Sequence, residues 1–164
     1  MELKQIAAIL REDGLTATFV PKELSEDDDN PMDQVMIHFQ TDRFEDNLKM
    51  QITRANPEND DNFPGLMQLQ FFAGLPTSVP AKNMDEVIRS LPVLNTVVPL
   101  MGFNVHKGEA IMYWRYVSLL PEEGEGVKSA LQQTVWLGFF ILENWGPALS
   151  ALADGDIGLD DILK

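Results

Sequence analysis

Three stretches of this chain place an apolar residue at every second position, and that period fits one kind of element. Val35, Ile37 and Phe39 alternate with Met36, His38 and Gln40; Leu48, Met50 and Ile52 alternate with Lys49, Gln51 and Thr53; Met67, Leu69 and Phe71 enclose Gln68 and Gln70. Successive side chains of a strand point to opposite faces, so each stretch predicts a strand with one face in a core. One-sided strands mark antiparallel pairing, and the three together predict a meander. Between the second and third, Pro57, Asn59, Asp60, Asp61, Asn62 and Pro64 supply turn chemistry.

The remaining segments surround this sheet. Leu3, Ile6, Ala7 and Leu10 recur at helical spacing before Gly14, which predicts a first amphipathic helix and its stop. Leu15 to Val20 reads as a short strand ending at Pro21. Asn83 is a candidate cap for a helix through Met84, Val87, Ile88 and Leu91, with Asp85 and Glu86 in its favourable first turn. Pro92 and Pro99 each lack a backbone donor and are expected to kink or divide that stretch, which Gly102 ends. Phe103 to His106 and Ala110 to Leu119 flank Lys107–Gly108 as a hairpin. In its second strand Ile111, Tyr113 and Val117 face one way and Met112, Trp114 and Tyr116 the other, so both faces are apolar. From about Val127 to Ala153, Leu131, Val135, Leu142, Trp145, Leu149 and Leu152 form the stripe of a long helix, which Trp136, Phe139 and Phe140 widen. Gly146–Pro147 is a candidate bend in it.

The order is α-β-β-β-β-α-β-β-α. Strands segregated from helices predict an α+β class, with a mostly antiparallel sheet and helices packed on it. At 164 residues the chain has the size of one domain, so a single α+β domain is expected over residues 1–164, with acidic loops near 22–33 and 56–65.

Charge and composition narrow the function. With 26 acidic against 12 basic residues the net charge is −14, which repels phosphate backbones and argues against a nucleic-acid partner. The chain has no cysteine, so disulfides, thiolate metal sites and cysteine nucleophiles are excluded. Met1 to Asp13 lacks the basic head and apolar run of a signal peptide, and Val135 to Leu142 falls far short of the ~18 apolar residues of a membrane span. A cytoplasmic protein with no membrane association is the expectation.

No set of residues argues for catalysis. The two histidines, His38 and His106, have neither the spacing nor the adjacent acid of a helical zinc motif. No serine stands in a G-x-S-x-G context. Gly124–Glu125–Gly126 precedes a helix but lacks the third glycine and the Lys-Ser or Lys-Thr of a phosphate loop. The acidic runs Asp27 to Asp33 and Glu58 to Asp61 do not match a calcium loop and read as solvated surface. No catalytic residue, metal site or cofactor is therefore expected. What stands out is surplus apolar surface on the hairpin and the long helix, to be covered by the chain's own helices or by a partner. Met101, Met112, Trp114 and Tyr116 are the candidate partner-binding residues, since methionine adapts its shape and aromatics bury large areas.

Leu94–Asn95, then Leu100–Met101–Gly102–Phe103, the hairpin Ala110 to Leu119 and a long helix ending in an aspartate-rich tail together resemble the YbjN family. With the preceding helix, strand and meander, the chain is similar to the wider type III secretion chaperone-like fold. The resemblance implies an α-β-β-β-α-β-β-α domain, often dimeric, with no catalytic residues to carry over, in a fold whose secretion chaperones bind extended client segments. The expectation is a non-catalytic, protein-binding or chaperone-like adaptor that forms a homodimer. The alternatives are a small-ligand or metal-dependent enzyme with a site assembled from scattered acids, and a structural assembly subunit.

Overall fold

The computed structural model describes residues 1–24, 32–44, 48–55 and 64–163 of the chain. Its elements run α1 (Leu3–Glu12), β1 (Thr16–Val20), a single 3-10 turn (Lys22–Leu24), β2 (Gln34–Phe39), β3 (Leu48–Arg54), β4 (Leu66–Ser78), α2 (Met84–Leu94), β5 (Phe103–His106), β6 (Ile111–Pro121), α3 (Gly126–Asp154) and α4 (Leu159–Ile162). The strands form one sheet in the order β1-β2-β3-β4-β6-β5, so β1 and β5 are its edges. The pairs β1–β2, β3–β4 and β5–β6 are antiparallel. Bonds from Glu122 N–H to Gly65 C=O and from Val79 N–H to Ala110 C=O run β4 and β6 in the same opposed sense. The fold is α+β with helices against an antiparallel sheet, as the strand periodicity predicts. Most of the acidic run after Lys22, including Glu26 to Asp29, and the stretch 56–63 lie outside the described residues.

The chain divides into two compact units, each drawn from separated stretches. The first comprises Met1–Phe39, Lys49–Phe72 and Val117–Trp136. Here the predicted stripe of α1, Leu3, Ile6, Ala7 and Leu10, is buried, and the helix lies against β1 and β2. Its start is fastened by the Glu2 N–H donating to Gln5 Oε1 at 2.8 Å. Its end is a Schellman turn: Leu15 N–H reaches Leu10 C=O, Gly14 N–H reaches Arg11 C=O, and Gly14 takes φ +84°, where a side chain is disfavoured. The alternating residues Val35, Ile37, Met50, Ile52, Met67, Leu69 and Phe71 are all buried, joined by Leu131 and Val135 from α3. Two polar contacts tie the end of α1 to α3: Lys128 Nζ to Glu12 Oε2 at 2.7 Å, and Trp136 Nε1 donating to Asp13 Oδ2 at 2.7 Å.

The second unit comprises Gln40–Leu48, Ala73–Tyr116 and Leu137–Lys164. α2 lies against β5 and buries Val87, Leu91 and Leu94. Asn83 occupies the position before α2, but its side chain does not cap that helix; Nδ2 donates to Ala153 C=O at 2.7 Å, which holds the C-terminal end of α3. The helical stretch expected to reach Gly102 ends at Leu94, with Pro92 in its final turn. α3 continues through Gly146–Pro147 as one helix, so the proline does not divide it. A Cβ on Gly146 would stand 2.4 Å from Phe44 Cζ, so the glycine is there for close approach. The hairpin turn spans residues 107–110, and its positive φ falls on Ala110 (55°) rather than on a glycine. No helix among the described residues is long and apolar enough to cross a membrane.

Candidate partner-binding site

The segment between α2 and β5 winds on from the helix through Val98, whose N–H bonds Leu94 C=O. Two side chains meet polar groups of its later part. Asn95, which closes α2, has a carboxamide with both an acceptor and a donor end. Its Oδ1 accepts from Gly102 N–H (3.1 Å) and Phe103 N–H (3.0 Å), and its Nδ2 donates to Phe103 C=O (2.9 Å). Trp114 of β6 donates from Nε1 to Leu100 C=O at 3.2 Å. At its start the loop is wound tight by Thr96 N–H on Val93 C=O and Val97 N–H on Leu94 C=O. Val98 is buried beneath it.

Gly102 is the tightest point. Its carbonyl accepts from Arg115 N–H at 2.9 Å, and a Cβ there would lie 2.4 Å from Arg115 O and 3.0 Å from Trp114 Nε1. Only glycine lets the loop reach β6. A loop held at Asn95, Leu100 and Gly102 has little freedom, yet it turns Val97 (52% exposed) and Met101 (69%) to solvent, beside Val93 (41%) at the end of α2.

The four residues expected to bind a partner separate into two kinds. Met112 (1% exposed) and Trp114 (0%) belong to the core of this unit, Trp114 facing Phe103 across the β5–β6 pair and Met112 facing Val105. They support the surface rather than form it, because the hairpin that looks apolar on both faces buries this one inside the chain. Tyr116 is half-buried and stacks on Trp114, with ring centroids 6.0 Å apart and planes 18° from parallel. Met101 is the most exposed of the four, and with Tyr116 it flanks the Gly102–Arg115 pair. Val93, Val97 and Asn95 complete the site. The quoted pattern contains Leu94–Asn95 and Gly102–Phe103, but the link between them is a side chain reaching over seven residues, which no periodicity reveals.

The first unit holds an open cleft of about 640 Å³ lined by Leu3, Lys4, Phe19, Asp33 and Arg54 among others. Three of its charged side chains have partners close by. Arg54 donates to Met1 C=O (2.8 Å) and pairs with Glu122 (3.2 Å), Lys4 lies 5.2 Å over the Phe19 ring, and Asp33 accepts from Lys22 N–H (2.8 Å). His38 is exposed on β2, and His106 Nδ1 accepts from Glu109 N–H at 3.2 Å within the hairpin turn. Among the described residues no group of three or more His, Asp or Glu side chains is placed to share a metal ion. No family model matches the chain, and no curated protein matches it in sequence.

Proposed function

We propose that this protein is a non-catalytic, chaperone-like protein-binding adaptor of the cytoplasm, acting as a homodimer, with the loop 95–102 as its contact surface. The observation that carries the reading is the exposure of Val97 and Met101 on a backbone fixed at both ends. A backbone already fixed has little ordering left to lose when its apolar side chains are covered, so more of their burial appears as affinity. The resemblance to YbjN proteins and to the secretion chaperone-like fold points the same way, as does a charge of −14, which disfavours nucleic acid.

A stable two-fold interface needs about 1,000 Å² or more in total, so the loop would act together with Val93 and Tyr116 rather than alone. Sedimentation at micromolar concentration tests this. The expected result is a dimer that Met101→Glu and Val97→Glu each shift toward monomer while the circular dichroism spectrum stays native. A wild-type monomer across concentration and salt would overturn the homodimer.

A further inference from the structure

The edge strand β5 has four residues, and its outer side faces a cleft of about 430 Å³ lined by Ile88, Leu91, Asn95 and Val105 among others. An uncovered edge is a template for another strand, because half of its backbone groups point away from the sheet. Alternation in an antiparallel pair identifies which half. Arg115 N–H bonds Gly102 C=O, so the Gly102 carbonyl and the backbone groups of Asn104 and His106 turn toward β6, while those of Phe103 and Val105 turn outward. Asn95 bonds both the N–H and the C=O of Phe103, with the donor and acceptor arrangement that the N–H and C=O of one residue on an antiparallel neighbour would present.

We infer that Asn95 is a plug that closes the β5 edge to strand addition by a second copy of this chain. One carboxamide occupies the outward position of Phe103, so an incoming strand finds only the outward pair at Val105. Two bonds at a single residue are too few to hold a strand, and the shortness of β5 allows no second site. The other edge is treated in the same manner. On β1 the Ala17 carbonyl accepts from Arg11 Nη1 at 3.1 Å and the Ala17 N–H bonds Leu15 C=O at 3.0 Å. This inference concerns the sheet edge, and because Asn95 also fixes the loop, its test is run where contact through the loop is already weakened.

Two measurements decide it. Hydrogen exchange on the wild-type protein should find the Phe103 amide at least about tenfold slower than the Val105 amide. Equal rates would overturn the plug. The second uses Asn95→Ala in a Met101→Glu background, where association through the loop is already weakened. The expected result is a new, concentration-dependent self-association, seen by sedimentation. Adding Val105→Pro, which removes the second outward N–H without touching a bond to β6 and leaves an incoming strand only the Phe103 pair, should abolish it. Asn95→Asp should not self-associate, since it keeps the two accepted bonds and adds a repelling charge. If Asn95→Ala keeps the mass of its background, or if its association survives Val105→Pro, including through loss of the fold, the inference fails.

Discussion

A Cβ at Gly102 would press on a backbone oxygen, which cannot swing aside as a side chain can. Gly102→Ala is therefore expected to lower stability by about 1–3 kcal/mol in urea unfolding, through strain where the loop meets β6. The proposed dimer should weaken with it, because Met101 is the preceding residue. Glu12 gives a test of a different kind. The hydrogen bond from Lys128, and then its charge, hold the exposed Glu12 carboxyl below its ordinary range. A carboxyl with a lowered folded pKa adds stability above its unfolded pKa and loses it as pH falls through the folded value. Lys128→Ala should return Glu12 to the ordinary carboxylate range in an NMR titration. The small stability gap between variant and wild type should close in acid.

At the scale of elements, α3 passes Phe44 so closely that Gly146 has no room for a methyl group. Gly146→Ala is expected to destabilise by about 1–3 kcal/mol, and Phe44→Ala in the same chain to recover part of that loss, a coupling measurable by a double-mutant cycle. The elements themselves were largely legible because their burial is periodic. The stripe of α1 and the alternation of β2 and β3 lie where the sequence places them. β4 is the instructive exception, since it runs on from Phe71 to Ser78 across Gly74 and Pro76, two residue types that usually end a strand. Its alternation persists, with Ala73 and Leu75 buried, but composition masks it. The end of α2 was illegible for another reason. Nothing local distinguishes an asparagine that closes a helix from one that also bonds a strand, and the glycine at residue 102 set the boundary too late. In the site, Met101 and Tyr116 were readable as surface candidates. Met112 and Trp114 were not separable from them, because hydrophobicity records the need for cover and not its source.

For the whole molecule, a net charge of −14 makes every self-association work against repulsion. The affinity of the proposed dimer is therefore expected to rise between low salt and about 0.15 M, where the screening length shortens to about 8 Å. An affinity that falls with salt would mean the interface is held by ion pairs instead of the apolar loop. Trp114→Ala removes a fully buried ring and should cost about 3–5 kcal/mol of folding stability, measured by urea unfolding. The contact between Asn95 and Phe103 also bears on the order in which the chain acquires its structure. It joins residues only eight apart, whereas β6 must find β4 across the whole of α2 and β5. Closing a ring of that length takes on the order of 10–100 ns, while distant strand pairing is far slower. The outer side of β5 is thus sealed while the hairpin it forms with β6 still searches for β4, so the nascent hairpin meets other copies of itself with one adhesive margin already blunted.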